Sequence, residues 1–428
     1  MMFLVILASI IMLAPFAMYL MGFIKDPFHP MIFAGVASYF LVPHRLITQR
    51  AETFEIVEES FIDLFLVVSI ISMLGIYVGW YIGGKRKAQV AQLAAHPSQF
   101  VPSRLGMCAA AFAIVAGISH YNYKDIYDSV EVSGYARDLN RLWIAGAILA
   151  VQAICLSAPT YRLPLFMVLG GCLYPPIERF LSYGQRGDTF RMAALGMLAY
   201  MMFGKRPTKG VFLAGAVALG VILSTLALTR GMVERGDAPN RIEALGRVIP
   251  EFLRGNMNRA DTGDEEIFGA AVVNTLRETH DFGYGLSVTV GIVGRFLPRQ
   301  IFPMKDEYIT FSGAYDSAAI RNYTGLSISW GSAPTGFANG FAELYWACPL
   351  IWIVIGYFYR RFWDKATAGG DLRSLGYLMG FMMAMFYGLS QELVTGEVNL
   401  IYVLVPLVLV YKVSKVTQPR DLPELATR

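Results

Sequence analysis

Charge is what this chain has little of. Asp, Glu, Lys and Arg together make up 16% of its 428 residues, against about 25% in a soluble domain. Hydrophobic residues make up 55%. That much apolar surface cannot be hidden in a water-soluble core of this size, so lipid must serve as part of the solvent. The net charge of +4 is small and Lys and Arg gather in short loops, so nothing calls for a nucleic-acid partner. Cysteine is scarce too. Cys108, Cys155, Cys172 and Cys348 all fall within or at the edge of apolar runs, with no CxxC and no Cys/His spacing. A zinc site or disulfide framework is not expected, and neither a metal nor another cofactor is implied. The first apolar segment lacks a basic n-region and a small-residue cleavage site, so it reads as a retained span. No internal repeat is visible.

What is present is a series of about eleven apolar runs that predict an all-α polytopic membrane protein. The expected spans are 3–23, 28–43, 61–83, 105–121, 142–158, 163–181, 189–204, 210–228, 337–359, 374–390 and 399–414. Several are short: a helix of about 16 residues covers roughly 24 Å, against a hydrocarbon core of about 30 Å. The chain therefore divides into spans one to eight (1–228), a large polar loop (229–335) and spans nine to eleven with a short tail (336–428). From the third span on, basic residues fall in alternate loops: Lys85, Arg86 and Lys87; Arg162; Lys205, Arg206 and Lys209; Arg360, Arg361, Lys365 and Arg373; Lys412 and Lys415. The positive-inside rule makes those loops cytoplasmic and sends the large loop outward; an odd number of spans would put the N-terminus outside, but loop 44–60 mixes Arg45 and Arg50 with Glu52, Glu55, Glu58 and Glu59 and leaves the first two spans open.

Within the loop, Ile242, Leu245 and Ile249 recur at helical spacing in 240–254, which predicts an amphipathic helix at the interface. A second helix is predicted over 265–279, with Ile267, Ala271, Val272 and Leu276 near one side. Segment 281–305 then combines Gly283, Gly285, Gly291 and Gly294 with Arg295, Arg299 and Lys305, bracketed by Pro298 and Pro303. Proline fixes φ and so holds neighbouring cationic side chains in place.

Tyr284-Gly285, Pro298-Arg299, Phe302-Pro303-Met304-Lys305 and Ala342-Glu343-Leu344-Tyr345, read in that order, resemble the O-antigen and exopolysaccharide repeat-unit polymerases (Wzy-type). GQRGDTFR at 184–191 and GKRP at 204–207 look like the same family, so the likeness covers about 184–360. Two positions depart from its pattern: Ala342 stands where a glycine is usual, and Trp346-Ala347-Cys348 stands in place of Asn-Phe-Gly. The O-antigen ligases share the architecture and are the close competitor.

The resemblance implies a bacterial inner-membrane glycosyltransferase that joins oligosaccharide repeat units, carried on polyprenyl pyrophosphate, at the periplasmic face. Expected partners are the lipid-linked oligosaccharide, membrane lipid, a chain-length regulator and a flippase. A pyrophosphate leaving group needs fixed cationic donors; the acceptor hydroxyl needs a base. Arg299 and Glu343 are the catalytic candidates. Arg186, Arg191, Arg230, Tyr284 and Lys305 are the candidates for binding substrate. Glu343 is expected about two turns inside span nine, where a carboxylate is expensive unless it is paired or faces a wet cavity. For Arg186 and Arg191 the plainer reading is snorkelling to the headgroups. Glu178, after Pro175-Pro176, is expected to pair with Arg179 or Arg186. A transporter or flippase is the reading from another class; the lone late loop, unmatched in the first half, weighs against it.

Overall fold

A helix satisfies its backbone polar groups internally, which is why apolar chains in lipid are built from helices. The computed structural model is almost entirely helical. Among the described residues the β contacts are limited to an isolated bridge between Phe100 and Lys415. The structure describes residues 1–48, 58–84, 100–123, 139–183, 186–202, 208–215, most of 265–301, 317–325, 334–369, 371–391 and 393–415, with scattered positions from 229 to 250.

The chain forms two compact units. The first comprises Met1–Lys85, Gly263–Arg361 and Ala384–Val398; the second comprises Arg86–Thr262, Phe362–Met383 and Asn399–Arg428. In chain order the helices are α1 (Met2–Leu20), α2 (Pro30–Leu41), α3 (Pro43–Thr48), α4 (Glu59–Gly83), α5 (Pro102–Tyr123), α6 (Leu142–Leu156) and α7 (Arg162–Tyr183). They continue as α8 (Arg186–Met202), α9 (Glu265–Thr279), α10 (Ser317–Thr324), α11 (Gly336–Leu344), α12 (Pro349–Gly369), α13 (Leu372–Ser390) and α14 (Leu393–Val413).

In the first unit α4 and α12 touch backbone to backbone. Gly75, Gly79 and Gly83 repeat every four residues and so line one face of α4. A Cβ at Gly79 would sit 1.9 Å from the carbonyl oxygen of Ile353, and one at Gly83 would sit 2.8 Å from that of Tyr357. From the other side, a Cβ at Gly356 would sit 2.1 Å from the oxygen of Ile76. The contacts advance in the same direction along both helices, so the pair is parallel. Small residues at this spacing let helices approach closely in lipid, where dispersion takes over from the hydrophobic effect.

Helix α9 occupies the predicted positions, but it is not a surface helix. Ala270, Ala271, Val272 and Val273 are all fully buried, so successive faces of the helix are covered. Gly269 lies against the Phe65 ring, and Asn274 Nδ2 donates to the carbonyl of Phe61 at 3.0 Å. Within the large loop, α9 is therefore packed into the helical core of the first unit.

The second unit is centred on α6, buried at every position from Leu142 to Ile154. Gln152 in its interior is paired across the unit: Gln152 Nε2 donates to the Leu372 carbonyl at 3.0 Å, and Gln152 Oε1 accepts from the Tyr411 hydroxyl at 2.8 Å.

Fewer helices meet the requirements of a span than the sequence predicts. Among the described residues four are long and apolar enough to cross a membrane, or five if the bent pair α11–α12 is one span. The shortfall has physical causes. Helix α2 has only 12 residues and α6 only 15. Helix α7 carries Pro175, Pro176, Glu178 and Arg179 in its second half. The run 210–228 lies outside the described residues beyond 215. Span nine is not one straight helix: Gly336–Ala347 and Pro349–Thr367 meet at 115°.

Candidate functional site

The bend in span nine is built locally. Thr335 caps α11, its hydroxyl accepting from the Ala338 N–H at 3.4 Å. The helix then runs nine residues and stops at Tyr345, whose φ of 51° and ψ of −134° cannot continue a helix. A short turn over Tyr345–Ala347 follows, and Pro349 opens α12, where its missing N–H costs nothing. Glu343 thus lies near the C-terminal end of a separate short helix, not two turns inside a continuous span.

Glu343 is 1% exposed. Asn339 precedes it by one turn on the same face and is also buried. Asn339 Oδ1 accepts the backbone N–H of Leu393 at 2.8 Å, which supplies a cap to α14 and fixes α11 beside it. One turn into α14 is Glu397. The matching four-residue steps, 339 to 343 and 393 to 397, bring the two carboxylates close enough to act on each other electrostatically. Glu397 Oε2 is buried and has no hydrogen-bond partner among the described residues. Glu397 was not expected from sequence; the signal that could have found it is a carboxylate inside the apolar run that begins at Gly396.

The turn after α9 covers the same place. His280 and Tyr284 have φ of 56° and 50°, and the Gly283 N–H donates to the carbonyl of Ala342 at 2.9 Å. The ring of Phe282 packs 4.6 Å from that of Tyr345 and 5.8 Å from that of Phe341. Tyr284, edge-on to Phe282, is 76% exposed. All three non-glycine residues with positive φ among those described, His280, Tyr284 and Tyr345, therefore lie around Glu343. Such strain persists only where surrounding structure holds it, and it concentrates at functional sites. The structure thus brings together two of the sequence candidates, Tyr284 and Glu343. Arg230, Arg299 and Lys305 lie outside the described residues, as does the side chain of Arg186.

Arg191 sits in the second unit. It is 4% exposed and does not snorkel: its NH1 donates to Asp188 Oδ1 at 3.0 Å. Asp188 also holds Arg179, with Nε 2.8 Å from Oδ2. Arg179 is thereby turned away from Glu178, whose carboxylate bonds His120 Nε2 instead. Glu178 thus has a carboxylate–imidazole pairing with His120 that only tertiary packing could reveal, while the expected partner Arg186 has its side chain outside the described residues.

Four helices able to cross a membrane are what a multi-pass membrane protein requires. Comparison with family models, with curated proteins and with solved structures finds no match to this chain.

Proposed function

We propose that the chain is a membrane glycosyltransferase of the polysaccharide-polymerase class. It joins oligosaccharide repeat units carried on polyprenyl pyrophosphate, on the periplasmic side of a bacterial inner membrane. The observation that carries the reading is the buried Glu343 at the end of α11, beside Glu397 and beneath the strained turn bearing Tyr284. An acceptor sugar hydroxyl needs a proton acceptor within hydrogen-bond reach. Two carboxylates in one place supply the acceptor and a neighbour that tunes it. The exposed ring of Tyr284 offers a face on which a sugar can pack. The leaving pyrophosphate is already a stable anion and needs cationic donors rather than an acid. Arg299 and Lys305 are assigned that role on the family resemblance; Arg191, bonded to Asp188 in the second unit, is not.

The bend favours a second reading. Broken helices with carboxylates at the break are also how ion-coupled transporters build their sites, so a transporter or flippase is the alternative, alongside the ligase. Lipid-linked and surface glycan from cells lacking the protein separates the polymerase from the ligase. Single repeats without a ladder support the polymerase. Full-length polymer stranded on its carrier supports the ligase. An unchanged ladder contradicts both.

A further inference from the structure

The second unit holds a cluster of ionisable groups that the proposed reaction does not use. His120, on α5, is fully buried. Its Nδ1 lies 3.4 Å from Asn140 Nδ2, and its Nε2 bonds Glu178. With the amide set this way its nitrogen can only donate, so Nδ1 accepts, Nε2 carries the proton and donates to the carboxylate, and this orientation corresponds to the neutral ring. The Tyr174 ring stands edge-on to the imidazole with centroids 5.9 Å apart.

The arrangement leaves one group unserved. Asn140 is 1% exposed, and its Oδ1 is buried with no hydrogen-bond partner among the described residues. A buried amide oxygen without a donor costs about 1–3 kcal/mol. A half-turn of the same amide would aim Oδ1 at Nδ1, where only an N–H could satisfy it. The imidazolium ion supplies that N–H. In the protonated state both ring nitrogens donate, Nε2 to Glu178 and Nδ1 to Asn140, and the orphaned oxygen gains its partner.

We propose that His120, Glu178 and Asn140 form a proton-binding site, with the extra proton held on His120 Nδ1 once the Asn140 amide has turned. The charges that face it come from the neighbouring helices. Burial of the ring and the Arg179 charge oppose loading; the Glu178 and Asp188 charges favour it. With His120 neutral, Arg179 and Arg191 are matched by Asp188 and Glu178, so loading adds one net positive charge to a balanced cluster. Glu178 is the open member: its side chain is 25% exposed, against 1% for Asp188. The site is therefore open on the Glu178 side. It stands apart from the glycan reading and survives if that reading fails.

The test is nitrogen-15 spectroscopy of histidine-labelled full-length protein in lipid nanodiscs, titrated between about pH 4 and 8, where free histidine changes charge. The His120 signals are identified by their loss in His120→Gln. Should that variant not fold, they are identified by elimination, replacing the other histidines in turn. The expected result is a neutral ring protonated on Nε2 at the basic end that becomes an imidazolium on acidification. Asn140→Asp places a negative charge beside Nδ1 and moves the midpoint up by roughly 1–3 units. Asn140→Leu removes the acceptor and moves it down. A His120 that keeps one neutral tautomer throughout, in wild type and in Asn140→Asp alike, overturns the proposal. So does a midpoint that ignores the residue at 140.

Discussion

Asn339 on α11 and Leu393 at the start of α14 are joined by a hydrogen bond of 2.8 Å, the Leu393 N–H donating to the Asn339 side-chain oxygen. A residue from one helix thus does for another what an N-cap normally does within its own chain. Replacing Asn339 by Ala removes the cap. Loss of a capping side chain costs about 0.5–2 kcal/mol, and Asn339→Asp, which keeps the acceptor, should lose less. Thermal unfolding in detergent checks the order: wild type, then Asp, then Ala. An Ala variant as stable as wild type would remove this bond from the account of how Glu343 and Glu397 are held together.

The α4–α12 seam makes a steeper prediction. At Gly79 even a methyl group would press to 1.9 Å of the Ile353 carbonyl oxygen, and a backbone atom cannot swing aside. Gly79→Ala should destabilise by about 1–3 kcal/mol, the usual cost of overpacking. Gly170, which has open space around it, is the control: Gly170→Ala should be neutral or stabilising, since alanine favours helix. Unfolding midpoints of the two variants should differ in that direction.

Gln152 is the polar post of the second unit. Gln152→Leu leaves the Tyr411 hydroxyl without its partner, a loss of about 1–3 kcal/mol. Adding Tyr411→Phe removes the orphaned hydroxyl and should recover part of the loss. A double variant as unstable as the sum of the two singles would show that the two residues do not act as a pair.

Asp371 supplies the pH dependence. Burial acts to raise its pKa, but hydrogen bonds from Ser374 and Arg373 and the Arg373 charge outweigh burial, holding the carboxyl below its ordinary value. A carboxylate depressed in the folded state contributes stability that is fully present above its unfolded pKa of about 3.9 and is lost as the pH falls through the lower folded value. Asp371→Asn should therefore be less stable than wild type at neutral pH, with the gap closing in acid below that window. A gap that is constant with pH would mean that Asp371 stabilises by shape alone.

The sequence reading reached the class of structure because composition alone dictates it: few charges and long apolar runs demand lipid, and lipid demands helices. Among the described residues fewer helices are long and apolar enough to span than it counted, because an average over apolar residues is blind to where a helix stops. Nothing in Glu343-Leu344-Tyr345-Trp346 announces a break; no glycine or proline stands there, and the stop comes from Tyr345 held at positive φ by packing against Phe282. The four-residue spacing of glycines 75, 79 and 83 is a close-packing signal that the sequence reading passed over. Their partner helix was not legible, because it lies more than 250 residues away in the chain. Glu343 was found because a carboxylate in an apolar run is costly by itself. Glu397 carried the same signal and was passed over; Asn339 and the His120–Glu178 pair acquire meaning only once folding brings distant residues together.

The central claim is that Glu343 accepts the proton of an acceptor hydroxyl, and one gel tests it most directly. Cells carrying Glu343→Gln, which keeps shape and removes the base, are compared with wild type for glycan chain length and for the amount of the protein in the membrane. The account predicts normal accumulation of the variant with single repeat units and no ladder. A normal ladder made by a well-expressed Glu343→Gln protein would contradict it.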